Sequence, residues 1–136
     1  MIQDEKTVLL DTVDLSVGEI FLENIEHVLA GRALDYLVIN HMEPDHCSMI
    51  ARLMGMYPRM QVVGNAKTIQ ILQQFYEVDL EGRTVLVKEG DTLNTGVHTL
   101  RFVMAPMVHW PEAMMAYEEK EKILFSADAF GTFGAL

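Results

Sequence analysis

The stretch "VINHMEPDHCSMI" (residues 38–50) puts two histidines, a glutamate and an aspartate within His41–His46, directly behind an apolar run. In extended backbone, residues i and i+2 point the same way, so His41 and Glu43 can converge on one ion. Pro44 bends the chain, and Asp45 with His46 then face a second ion nearby. Imidazole and carboxylate together suit iron, manganese or zinc, whereas thiolate-rich sites select differently. A plainer reading makes the stretch a polar turn in which Asp45 or Ser48 caps the next helix. That reading serves any one of these residues alone; four ligand types so close together favour a metal. Cys47 reads as a small buried residue at the helix start.

Outward from this stretch, β-like runs alternate with helical patterns. "TVLLDTV" (7–13) reads as a strand. "SVGEIFLENIEHVLAG" (16–31) reads as a helix opened by a Ser16–Glu19 capping box and stopped at Gly31. Val17, Ile20, Phe21, Ile25, Val28 and Leu29 make its apolar face. "DYLVI" (35–39) suits a strand buried on both sides. A helix over 47–56 ends before Pro58, followed by strand 61–64 and helix 66–76. Strands are then expected at 83–88, 99–105, 113–118 and 122–127, with "EEKEK" (118–122) turning between the last two. The whole is one mixed α/β domain without linker, low-complexity segment or internal repeat. Its end, "DAFGTFGAL", is apolar and glycine-rich.

Two later residues share the strand-end setting of the first cluster. His109 follows a strand in "MAPMVHWPEAM", and Asp128 closes one in "ILFSADAFG". Active groups concentrate on loops that a rigid scaffold holds at strand ends. Taken singly, His109 is a loop histidine packed on Trp110, and Asp128 a turn residue. His27 lies on the polar side of its helix, and His98 lacks ligand neighbours. "GDTLNTG" (90–96) is explained by turn chemistry, since no helix follows it to make a phosphate loop. The ten methionines fall mostly at core spacing, and no flavin or nucleotide fingerprint is present.

Composition bounds the function. The 136 residues suffice for one domain with a modest core, with 50% hydrophobic and 22% charged residues. A net charge of −10 without a visible basic patch argues against a nucleic-acid binder. No apolar run is long enough to span a membrane, and "MIQDEKTVLL" lacks the basic start of a signal peptide. The single cysteine makes no internal disulfide, which fits the cytoplasm.

His41, Glu43, Asp45, His46, His109 and Asp128, in this order, resemble the metallo-β-lactamase-like domain of flavodiiron proteins (A-type flavoproteins). His-x-Glu-x-Asp-His is the discriminating motif, because hydrolases of the superfamily carry histidine where this chain has Glu43. "HWPE" (109–112) and "FSADAFGTFG" (125–134) also look like flavodiiron versions of their segments. The resemblance implies an αββα sandwich, with this chain as roughly its first half, a mixed sheet and flanking helices. It implies two non-heme irons, one held by His41, Glu43 and His109, the other by Asp45 and His46, with Asp128 bridging. It further implies reduction of dioxygen to water or nitric oxide to nitrous oxide. Electrons would come through FMN from a rubredoxin-like donor, in a homo-oligomer.

The family also has a further histidine ligand downstream of the bridging aspartate, a flavodoxin domain binding FMN, and extra strands before the segment matching "DEKTVLLDT". Residues 1–136 are therefore expected to be a partial diiron domain, trimmed at both ends. Partial metal occupancy is expected, as is an uncovered sheet face on strands such as "TLRFVM" that drives self-association. Two alternatives are a zinc hydrolase of the same fold and a non-catalytic binding domain.

Overall fold

The computed structural model describes residues 1–132, so the last residues of the glycine-rich "AFGTFGAL" tail lie outside it. Among the described residues, nine strands and four α-helices build two sheets and one helical layer. The first sheet runs in chain order: β1 (Ile2–Gln3), β2 (Thr7–Leu10), β3 (Tyr36–Val38), β4 (Gln61–Gly64) and β5 (Thr84–Leu86). β1 pairs antiparallel with β2, and the remaining neighbours are parallel. Between the parallel strands come α1 (Gly18–Leu29), then α2 (Pro44–Cys47) with α3 (Ile50–Met56), then α4 (Ala66–Phe75). The second sheet is an antiparallel meander of β6 (Thr92–Asn94), β7 (Thr99–Met104), β8 (Met114–Glu118) and β9 (Ile123–Phe125).

Strand alternation explains the layering. Leu9, Leu37 and Val62 point to the helices, where they join Leu22, Ile25, Leu29 and Ile50 in one core. Their neighbours Val8, Val38 and Val63 point the other way, onto Leu100, Phe102, Met114 and Ala116 of the second sheet. The apolar run at β3 is thus buried on both sides, as a central parallel strand requires. This corrects the expected uncovered face: Leu100 and Phe102 are 0% exposed because the two sheets already cover each other. What faces outward on the second sheet is Arg101, Val103 and Leu124.

Other local readings shift with tertiary contacts. Asp14, not Ser16, caps the start of the α1 region, accepting from the Ser16 amide at 2.8 Å ahead of a short 3-10 turn. Gly18 packs so closely on Met49 that an added Cβ would lie 2.5 Å from its sulfur. That contact rolls the stripe Gly18, Leu22, Ile25 and Leu29 inward and leaves Val17, Ile20 and Val28 exposed. The helix expected over 47–56 is two helices instead. Thr12 claims the His46 carbonyl with both its amide (2.7 Å) and its hydroxyl (2.9 Å), and its Oγ1 accepts from the Met49 amide. A continuous helix needs that carbonyl for itself. Short edge strands β1 and β6 carried no sequence signal; β6 lies within "GDTLNTG". Among the described residues no helix is long and apolar enough to cross a membrane.

Candidate metal centre

The polar residues of the opening stretch leave the carboxyl end of β3, where open α/β sheets place their sites. Asp11, just beyond β2, holds the exit: its Oδ1 accepts from the Asn40 amide at 2.7 Å. Asp11 has φ +55°, a left-handed conformation that aspartate tolerates better than most residues. The Asn40 carbonyl accepts from the Met114 amide at 3.0 Å, tying the loop to the second sheet.

His41 then sits 1% exposed with both ring nitrogens engaged. Nδ1 is 2.8 Å from Glu112 Oε1, and Nε2 is 3.2 Å from Glu43 Oε2. The loop between β7 and β8 brings in His109, whose Nε2 lies 3.0 Å from the same Glu43 oxygen. Beyond β9, Asp128 Oδ1 lies 2.9 Å from His46 Nε2, while Oδ2 is 3.5 Å from Nε2 of both His41 and His109. One donor atom from each of His41, Glu43, His109 and Asp128 lies within 4.8 Å of all the others. His46 adjoins this group, its ring 5.2 Å from that of His41. Asp45 is the most loosely held, with Oδ2 3.8 Å from His46 Nε2 and its side chain 58% exposed. All six residues singled out from the sequence therefore meet at one sheet edge.

Two further carboxylates carry the site, and the sequence reading gave them no role. Glu112 backs His41, and Asp11 lies 3.7 Å from His46 Nδ1. Each had a signal: Glu112 ends "HWPE" and Asp11 is the one charged residue within "TVLLDTV". His27 is exposed, and His98 belongs elsewhere, its Nδ1 3.0 Å from Glu118.

The electrostatics fit a cation. Among the described residues, every ion pair of these carboxylates is with an imidazole and none is with lysine or arginine. Asp11 beside it pushes His46 up to about 9, against the opposing effect of burial and with help from Asp128. For His41, burial is the largest single influence and favours the neutral ring, but hydrogen bonds to Glu112 and Glu43 outweigh it and raise its pKa. Burial likewise works to raise Asp128, yet the neighbouring His46 charge brings it below the usual carboxylate range. Protons on the imidazoles thus stand where a metal's charge would serve the same carboxylates. The donors, two imidazoles and two carboxylates, are of the kind that iron, manganese or zinc takes.

Fold and site together define a metallo-β-lactamase-like domain with its polar cluster at the strand ends. The family profile described as "ODP family beta lactamase" matches residues 1–135, and the chain belongs to that family. It is 41% identical over 132 residues to the anaerobic nitric oxide reductase flavorubredoxin of Aliivibrio fischeri, covering 96% of this chain and 26% of that one. The crystal structure of the flavodiiron protein from Giardia intestinalis superimposes with a TM-score of 0.86 at 30% identity, covering 92% of this chain and 30% of that one. Rubredoxin oxygen:oxidoreductase from Desulfovibrio gigas gives a TM-score of 0.82 at 31% identity, covering 90% and 30%. The flavodiiron resemblance read from the motifs holds along the chain, which spans about a quarter of the length of the curated relatives it matches.

Proposed function

We propose that this chain is the diiron-binding part of a flavodiiron oxidoreductase that reduces dioxygen or nitric oxide. The observation that carries this reading is the convergence of His41, Glu43, His109 and Asp128 on one point, with Glu43 supplying a carboxylate between two imidazoles. A terminal carboxylate makes the donor set harder and more anionic than an all-imidazole one, which favours redox iron over hydrolytic zinc. His41, Glu43 and His109 would hold the first iron, Asp45 and His46 the second, and Asp128 would span them. An iron pair, when bound, supplies the electrons and Lewis acidity for reducing a small gaseous substrate.

The chain's own residues hold and orient. Asp128 faces His46 with one oxygen and His41 and His109 with the other, which suits a bridging carboxylate. Thr12 and Asp11 fix the backbone and ring of His46 from behind. Half-exposed His109 leaves the site open on its solvent side, where a diatomic molecule can enter. The names of similar proteins support both substrates, one a nitric oxide reductase and the other an oxygen oxidoreductase. Electrons would arrive through FMN on a flavodoxin-type domain from a rubredoxin-like donor, within a cytoplasmic homo-oligomer.

Anaerobic loading with ferrous iron, followed by removal of free metal and elemental analysis, tests the assignment. Retained iron that is lost in Glu43→Ala and His41→Ala is expected. Iron retention indifferent to both changes would refute it.

A further inference from the structure

We propose that Glu112 is a positioning residue for the metal centre. It fixes the His41 ring with Nε2 as the ligating atom, and it takes up the charge that a cation places on that ring. The inference rests on the metal reading of the site above, and goes beyond it to a residue outside the ligand set.

Three observations carry it. Glu112 Oε1 lies 2.8 Å from His41 Nδ1 and 2.7 Å from the Met42 amide nitrogen. The Met42 amide can only donate, so Oε1 is an acceptor, and an acceptor at 2.8 Å calls for the proton on His41 Nδ1. Nε2 is then the nitrogen with the free lone pair, and it faces Glu43 and Asp128.

Second, the carboxylate is 1% exposed, and its Oε2 has no hydrogen-bond partner among the described residues. A buried carboxylate is costly without a compensating charge. Among the described residues His41 is the only ion-pair partner that Glu112 has. A divalent cation on Nε2 polarises the ring and makes Nδ1–H a stronger donor, so cation and carboxylate stabilise each other through the imidazole.

Third, the residue is held in place from its own backbone. Asn65, which caps α4 by accepting from the Thr68 amide, donates through Nδ2 to the Glu112 carbonyl at 2.8 Å. Trp110 packs edge-on to His41 with ring centroids 5.3 Å apart, which restrains the imidazole from turning. The competing reading makes Glu112 a plain loop tie that serves only the Met42 amide.

Glu112→Gln separates the two, because it keeps the acceptor oxygen and the volume while removing the charge. Cobalt(II) is titrated into the chain and the variant, read by quenching of Trp110, the single tryptophan, and by the visible cobalt spectrum. The expected result is cobalt affinity weaker by about 10- to 100-fold with an altered spectrum, while the metal-free circular dichroism is retained. A variant that melts earlier but binds cobalt with unchanged affinity and spectrum overturns the inference and leaves the metal reading standing. Failure of the unaltered chain to bind cobalt overturns both. Should the variant not fold, histidine-selective ¹⁵N NMR of the zinc-loaded unaltered chain decides. A slowly exchanging, hydrogen-bonded proton on His41 Nδ1 supports the role; coordination through Nδ1 refutes it.

Discussion

Asp128 Oδ1 lies 2.9 Å from His46 Nε2, joining the end of the second sheet to α2 across 82 residues of sequence. Its other oxygen stands 3.5 Å from Nε2 of both His41 and His109. One side chain therefore faces both histidine groups, while among the described residues the Glu43 carboxylate pairs only with His41 and His109.

That asymmetry predicts different outcomes for two conservative changes. Glu43→Gln should weaken one of the two metal equivalents, and Asp128→Asn should weaken both together. Each loss should exceed the ~10- to 100-fold that losing a partner behind a ligand costs. Competitive titration against a chelator of known affinity reads both stoichiometry and strength. Asp128→Asn affecting a single equivalent would contradict the bridging role.

His46 predicts a pH dependence of known sign. Its folded pKa of about 9 lies above the ordinary 6.5. A raised histidine contributes stability fully below about pH 6.5, and that contribution is lost as pH rises through about 9. The metal-free chain, kept with chelator, should therefore melt at a lower temperature as pH rises across this window. His46→Gln should flatten the slope. With metal the trend reverses, because the cation competes with that proton and binds more tightly as pH rises. An unchanged slope in His46→Gln would assign the effect to another group.

The legible part of the molecule was the part governed by local pattern. Strand alternation at Leu37 and Val38 and the close spacing of His41 and Glu43 are properties of near neighbours: the first sends the two strand residues into opposite cores, and the second brings both polar residues into one group with His109 and Asp128. Glu112 is not legible as part of the site because its contact is with a residue 71 positions away, and nothing in "HWPE" names that partner. Asp11 was hidden in the same way, by a contact to Asn40 across 29 residues. The roll of α1 is not legible in the sequence, because Val17, Ile20 and Val28 are as apolar as the residues that do pack. The deciding contact is Gly18 against Met49, a matter of fit that hydropathy does not encode.

The face-to-face sheets make Phe102 a stability residue. It is 0% exposed, in the same core as Val38 and Val63. Phe102→Ala should cost about 3–5 kcal/mol, the range for removing a large buried ring. Urea denaturation followed by circular dichroism gives the figure. A loss below about 1 kcal/mol, the scale of ordinary surface substitutions and small adjustments, would show that the sheets do not seal there.

The remaining question of chemistry turns on Glu43. A zinc hydrolase needs its metal to lower the pKa of a bound water so that hydroxide is available near neutrality. Positive charge on the metal drives that shift, and every anionic ligand diminishes it. Glu43 Oε2 stands between His41 and His109, 3.2 Å and 3.0 Å from their Nε2 atoms, so its charge would fall directly on a metal bound there. Asp128 adds a second carboxylate to the same donor group. The zinc-loaded chain should accordingly give no turnover of a thioester or a β-lactam above the metal-only background. Glu43→His tests the cause, since exchanging the carboxylate for a neutral ring should make a bound water more acidic, seen as a lower pKa in the pH dependence of a cobalt-substituted spectrum. Hydrolysis by the unaltered zinc form that disappears in Asp45→Ala would overturn the redox assignment. A Glu43→His spectrum that titrates at the same pH as the unaltered chain would show that the carboxylate's charge does not govern the metal.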